Sequence, residues 1–451
     1  MPIAQIESLD REGRGVSHVE GKAIFIEGAL PGETVEYSSY RKKPNYEVAQ
    51  AIDIINASSA RTDPSCPWYS RCGGCSLQHY DLRGQIAAKQ RILEDAMWHV
   101  GRVRPERMLS PVQGPSWRYR HRARLSVRMV PKKGGVLVGF HERKSSYVVE
   151  MSSCEVLPLA VSAGIDQLKR VIEQLSIRDR IPQIEVAIGE KASVLVFRIL
   201  EPLNENDKAV LSAYAESSGF QVWLQTKGPE TARLFAPSEA AKLEYLLPEF
   251  GVRIGFLPTD FTQVNHAVNR MLVRRAIDLL GPQEGELVGD FFCGLGNFSL
   301  PIARFGARVF GVEGNVQLVS RAQENAELNG IFCQFDTANL FDEEECGKAI
   351  ARMGPLTKAL IDPPREGAME LVKQLVQIPS LNRIVYVSCD PATLARDAGL
   401  LGQTFSLKAA GVVNMFPHTS HVESIALFER LPDVSSSLVK EAIQSTSSVE
   451  I

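Results

Sequence analysis

The chain has 451 residues, 44% of them hydrophobic and 23% charged, with a formal net charge of −3. That much apolar material supports packed cores across about three domains and excludes a disordered chain. The near-neutral charge excludes a global pull toward nucleic acid, so any such binding belongs to a local basic surface.

In chain order, the start MPIAQIESLDREGRG is already charged, and no apolar run in the sequence reaches transmembrane length. Neither a signal peptide nor a membrane partner is expected, and the chain is placed in the cytoplasm. Residues 1–58 alternate like short strands broken by Gly13, Gly15, Gly21, Gly28 and Gly32, with a basic tip at Arg41, Lys42 and Lys43. This pattern predicts a small β-barrel. SCPWYSRCGGCSLQH follows, in which Cys66, Cys72 and Cys75 have C-x5-C-x2-C spacing, and Cys154 stands remote in MSSCEV. Eight cysteines with such clustering fit metal or catalytic roles in a reducing compartment better than a disulfide framework. The spacing serves an iron–sulfur cubane or a four-cysteine zinc site, and by itself leaves both open. A helix is predicted over 81–99. In 117–128 arginine occupies positions 118, 120, 122, 124 and 128, which on a strand would form one cationic face suited to RNA phosphates. From 260 the chain alternates strand and helix, with strands at 287–292, 308–313, 358–361, 383–388 and 424–429. That alternation predicts a parallel sheet covered on both faces. The Ser-rich segment 434–451 reads as a flexible tail.

Three strand ends carry chemistry. After the strand LVGDFF comes Cys293-Gly294-Leu295-Gly296-Asn297-Phe298, and Glu313 closes the next strand. A glycine turn lets a ligand approach the backbone, and an acid there accepts ribose hydroxyls. An NAD site or a bare structural turn would look similar, but Ser299 replaces the third glycine of the dinucleotide fingerprint. A nucleoside cofactor without a diphosphate, such as S-adenosylmethionine, fits. Asp362 ends a strand in LIDPPREG, stiffened by two prolines; Arg365 takes the place where amine methyltransferases carry an aromatic residue. In RIVYVSCDPATLARD, over 383–397, an apolar strand delivers Cys389 to a helix start capped by Asp390 and Pro391. A thiol at the positive end of a helix dipole is expected to favour thiolate, the nucleophilic form; the bland alternative is a packing cysteine.

DFFCGLGNFSL, LIDPPREG, SCDPATLARD and NMFPHTSHVESIALF, with LPTDFTQVNHAVN and CGGCSLQHY before them, closely resemble the RNA uracil-C5-methyltransferases. The barrel and cysteine cluster together resemble the bacterial 23S ribosomal RNA branch. The resemblance implies a multidomain α/β chain: an OB-like TRAM β-barrel at 1–58, a central α+β domain at 59–258 with an iron–sulfur loop and basic strand, and a Rossmann-like class I S-adenosylmethionine-dependent methyltransferase domain at 259–433. It implies Cys389 as nucleophile, Glu423 as base, and Gln263, Phe292, Asn297, Glu313, Asn339 and Asp362 as cofactor residues. It moves the cysteines Cys66, Cys72, Cys75 and Cys154 to a 4Fe-4S cluster. The implied partner is 23S rRNA, naked or in an assembling large subunit, bound by a monomer. The same reaction on tRNA, or a non-catalytic iron–sulfur RNA-binding protein, are the alternatives. Asn414 departs from the acid that the family commonly has before Met-Phe-Pro. Cys293, Cys333 and Cys346 read as packing or surface thiols.

Overall fold

The computed structural model describes residues 1–239 and 241–432, so the tail expected at 434–451 lies outside the described residues. Among these the chain forms two six-stranded sheets, one eight-stranded sheet and a two-stranded hairpin. No helix among them is long and apolar enough to cross a membrane.

The first sheet comprises Ile3–Gln5, Ser8–Leu9, Gly15–Val19, Lys22–Glu27, Thr34–Lys42 and Tyr46–Asn56. Its long pair, Thr34–Lys42 against Tyr46–Asn56, slips register at three places, and such bulges increase local twist. Ile24, Ile26, Val35, Tyr37 and Ala49 turn inward to a small core of their own. Glu33, fully buried, accepts from Arg61 Nε at 2.6 Å and Nη2 at 2.7 Å, tying the sheet to the cysteine segment.

The second sheet runs Arg233–Ala236, Gln221–Gln225, Ser193–Arg198, Gln183–Ile188, Arg122–Val130, Gly135–Gly139 across its width. Helices Leu159–Gln174 and Glu205–Ser218 bury apolar side chains with it, among them Ile165, Leu168, Ile172 and Leu211. Asn204 and Asp207 form a capping box that starts the second helix.

The third sheet positions the site. Its order is Gln334–Thr337, Arg308–Glu313, Leu287–Phe291, Lys358–Ile361, Arg383–Ser388, Glu423–Arg430, Phe405–Val413, Arg107–Met108. The first five are mutually parallel, and Glu423–Arg430 is antiparallel to both its neighbours. Strands 358–361 and 383–388 are buried almost throughout, as a sheet covered on both faces requires.

Residues from helix Leu82–Ala96 to Val112, within the span 59–258 expected for the central unit, pack against this C-terminal sheet. Helix Leu82–Ala96 ends in a π turn, Met97–Gly101, and Leu93 and Met97 share a core with Tyr386, Leu394 and Ala398 of the C-terminal sheet and of helix Pro391–Leu401. The contact is backbone to backbone: a Cβ on Gly101 would lie 2.3 Å from Ala395 O. Arg107–Met108 then adds a parallel strand to the sheet edge.

Candidate active site

The carboxyl ends of the parallel strands converge on one cavity of about 650 Å³, within the size range of small-ligand sites. Strand Leu287–Phe291 stops because Phe292 is left-handed, at φ 62°, followed by Gly294 at 53° and Gly296 at 86°. For a phenylalanine that backbone costs on the order of 1 kcal/mol, and it turns the ring toward Phe341, 5.6 Å away. Glu313 steadies the turn, its Oε2 accepting from Gly294 N at 3.2 Å and its Oε1 from Asn315 N at 3.0 Å. All eight residues named from sequence as catalytic or cofactor-binding, Gln263, Phe292, Asn297, Glu313, Asn339, Asp362, Cys389 and Glu423, line this cavity. Two of them have fixed local duties. The Asn297 amide is paired in both directions with Asn269 and also accepts from Tyr245 Oη at 2.9 Å. Asn339 lies on an exposed loop, its carbonyl Oδ1 accepting from Phe341 N.

The electrostatics correct one expectation. Cys389 does not sit in a thiolate-favouring spot: burial pushes its thiol up to about 11, with the charges of Glu423 and Asp362 adding and Arg365 opposing. The helix end is already spoken for, because Asp390 Oδ1 accepts from Ala392 N at 2.8 Å and Thr393 N at 3.4 Å. The dipole therefore faces a carboxylate, not the sulfur. Burial likewise raises Asp362 to about 7 and Glu423 to about 8, Asp362 pushing Glu423 further up and Lys89 drawing it back. Glu423 opens the antiparallel strand, paired with Val413; it is 5% exposed, and its Oε2 has no hydrogen-bond partner.

A second cavity, about 490 Å³, meets the first at Cys389, Arg365 and His421 and is walled by Arg11 and Glu12 of the N-terminal sheet. Arg11 Nη2 donates to Asp390 Oδ2 at 2.5 Å. Cys389 thus stands between a deep pocket and an opening toward the N-terminal unit.

Cys66, Cys72, Cys75 and Cys154 line a separate cavity of about 330 Å³, none of them in a disulfide. Two arginines strap the contributing segments: Arg143 donates to the carbonyls of Cys72 at 3.1 Å and Cys75 at 2.8 Å, and Arg118 to that of Cys154 at 2.7 Å. Burial raises all four thiols, Cys75 to about 12 and Cys154 to about 11; other cysteine sulfurs add to the effect at Cys72, Cys75 and Cys154, and Glu155 adds at Cys66. Four such groups do not ionise together without a cation to bind them. Among the described residues no group of three or more His, Cys, Asp or Glu is arranged to hold a metal ion.

The predicted arginine face is a second correction. Strand pairing begins only at Arg122. Within 122–128 the alternation holds, with Ala123, Leu125 and Val127 buried. Before it the chain turns, Arg118 being left-handed at φ 57° and paired with Glu155 at 2.6 Å. Arg124 is matched across the sheet by Glu185 at 2.9 Å, and Arg122 donates to Pro258 O at 2.7 Å. Acids distant in sequence therefore offset charges that look unopposed along the chain.

Sequence reasoning passed over two groups beside the cavity, His421 and Lys89, and noted Arg365 only for the aromatic residue it replaces. Arg365 and His421 face each other at 3.3 Å on its rim. Lys89 is 1% exposed on a helix whose buried stripe runs Ile86, Lys89, Leu93, Met97. A lysine at that helical spacing, on an apolar face, is a legible anomaly.

Comparison with known proteins agrees with this geometry. The family model of tRNA (Uracil-5-)-methyltransferase matches residues 83–431. A 23S rRNA (uracil(1939)-C(5))-methyltransferase RlmD of Aromatoleum aromaticum is 58% identical over 95% of this chain and 100% of its own length. The enzyme of the same name from Burkholderia pseudomallei is 56% identical over 95% of each. The crystal structure of a Pyrococcus abyssi tRNA (uracil-54, C5)-methyltransferase in complex with S-adenosyl-L-homocysteine superposes with a TM-score of 0.73 at 23% identity, covering 94% of this chain and 99% of that one, a likeness of fold. The chain belongs to the RNA (uracil-C5)-methyltransferase family.

Proposed function

We propose that this chain transfers a methyl group from S-adenosylmethionine to carbon 5 of one uridine in 23S ribosomal RNA, at the position for which its Aromatoleum and Burkholderia relatives are named. The observation that carries this reading is a half-buried thiol and a buried carboxyl with a free oxygen facing one cavity, Cys389 and Glu423, beside acids of the kind that hold a nucleoside. Gln263, Phe292, Asn297, Glu313, Asn339 and Asp362 are the residues that would hold the donor, which supplies an electrophilic methyl group when bound. Glu313, at a strand end, is suited to ribose hydroxyls.

Carbon 5 of uracil is a weak nucleophile. Cys389 gives its proton to solvent through the opening beside it and its sulfur bonds to carbon 6, so that the carbon 5–carbon 6 double-bond pair moves into an enolate whose carbon 5 is able to take the methyl group. Glu423, as carboxylate, then accepts the carbon-5 proton. The electrons of that C–H bond re-form the ring double bond, the Cys389–carbon-6 bond breaks and the thiolate is released. The target base has to leave its stack to reach the sulfur, and the opening beside Cys389, walled by Arg11, Glu12, Arg365 and Asp390, is its approach.

In the same reading, residues 1–58 are a TRAM-type barrel that contacts RNA, 59–258 the central unit and 259–433 the methyltransferase domain of a cytoplasmic monomer. Cys66, Cys72, Cys75 and Cys154 hold a 4Fe-4S cluster. The resemblance to the 23S rRNA branch of the family, rather than the spacing, favours a cubane over one zinc ion. The reaction moves no net electron, so the cluster is structural or RNA-facing.

The test is incubation with 23S rRNA carrying 5-fluorouridine and the methyl donor. Fluorine does not leave carbon 5 as a proton, so the adduct persists. A peptide containing Cys389 cross-linked to one rRNA nucleotide is the expected product. No adduct would overturn the mechanism, and an adduct with tRNA alone would move the substrate.

A further inference from the structure

The proposed base sits among groups that work against it. Glu423 shares its cavity with Cys389, at the end of the adjacent strand, and Asp362, at the end of the strand beyond that, and all three have burial raising their proton affinity. His418 and His421 of the loop before it are held neutral by burial, and Arg365 acts on Cys389 and His421. The cation that acts on Glu423 comes from a different part of the chain, Lys89 on helix Leu82–Ala96.

Lys89 is held in place by two uncharged acceptors. Its Nζ donates to Asn414 Oδ1 at 2.8 Å and to Phe416 O at 2.9 Å. Asn414 is 1% exposed and directly follows Val413, the residue paired with Glu423, so the ammonium is delivered behind the same strand end as the carboxyl. Burying an amine without a counter-charge is costly: burial pushes Lys89 down to about 7, and the charge of Glu423 opposes that fall. An aspartate at 414 would pair with Lys89 directly. The neutral amide in this chain orients the ammonium and leaves its field to Glu423.

We propose that Lys89 is a positioning residue of the reaction: fixed by Asn414 and the Phe416 carbonyl behind the strand end that carries Glu423, its ammonium favours the carboxylate form of Glu423, the form that accepts the carbon-5 proton. This rests on the reading of Glu423 as the base.

The full-length protein is assayed for methylation of a 23S rRNA fragment across pH, with covalent protein–RNA adduct followed on denaturing gels. Lys89→Met keeps the volume and removes the charge. It is expected to lower kcat by about tenfold or more at neutral pH with KM for RNA nearly unchanged, and to move the acidic limb of the profile up by roughly one unit, the equivalent shift. Adduct should accumulate, because proton removal is the slowed step, and Lys89→Arg should restore most of the rate. Asn414→Asp should move the same limb upward by a smaller amount. An unchanged limb and undiminished kcat in Lys89→Met would overturn the proposal. Should that variant melt at markedly lower temperature, Asn414→Asp decides, and an unmoved limb there overturns it equally. Glu423→Gln separates the two readings: if it turns over freely without accumulating adduct, the base is wrongly assigned, whereas if it stalls while Lys89→Met is silent, only the role of Lys89 fails.

Discussion

The cavity at Cys389 and the four-cysteine cavity both gather thiols whose proton affinity burial raises, yet they are proposed to serve opposite ends. Cys389 lines a pocket that opens on two sides, with Arg365 opposing the burial of its charge. The cysteines of the other cavity face one another, and their arginines, Arg118 and Arg143, bind backbone carbonyls rather than sulfur. A nucleophile has to exchange its proton, bond and leave, so it is given access and one nearby cation. In the proposed reading a ligand set loses its protons once, and the metal neutralises it.

That contrast breaks most sharply at Cys389. Cys389→Ser is expected to reduce methylation by at least about 10³-fold, since the hydroxyl is a far poorer nucleophile without a base beside it. Iron content should be unchanged. Turnover close to wild type would remove the distinction between the two cavities. The reciprocal change, Cys75→Ser, should abolish the visible iron–sulfur absorption and lower stability by roughly 3 kcal/mol or more in denaturant titration. Unaltered absorption would show that the four thiols are not one ligand set.

pH sharpens the comparison further. Burial raises Glu423 to about 8 and the Cys389 thiol to about 11, and both work in their deprotonated forms, so each is mostly protonated below its raised value. The rate is therefore expected to climb as pH rises through about 7 to about 9, measured in single turnover at saturating donor. A rate that falls over that range would mean that protonated forms do the work. The smallest effect belongs to Arg11. Its side chain is 59% exposed in the pair with Asp390, so Arg11→Ala should cost less than about 1 kcal/mol in stability, while raising KM for RNA if the opening beside Cys389 carries the substrate.

Much of the third sheet was legible along the chain. Strands at 308–313, 358–361 and 383–388 emerge at the bounds expected, because a strand buried on both faces is a continuous apolar run with abrupt ends. Gln334–Thr337 was not seen, since an edge strand with this polar composition carries no such run. Phe405–Val413 was also missed, and Arg107–Met108 is two residues long, recognisable only by the neighbour it pairs with. The arginines of 118–124 illustrate the limit of charge patterns: Glu155 and Glu185 are far away in the chain and adjacent in space.

Local order in the sequence, then, determined the residues at strand ends, the glycine turn, the cap at Asp390 and the cysteine spacing, because each depends on neighbours within a few positions. Which groups share a cavity, how far burial and facing charges shift their protons, and that a lysine from residue 89 stands behind a glutamate at 423 were decided by tertiary structure alone. Desolvation and Coulomb energy depend on distance through space, and nothing in the order of residues along a chain encodes that distance.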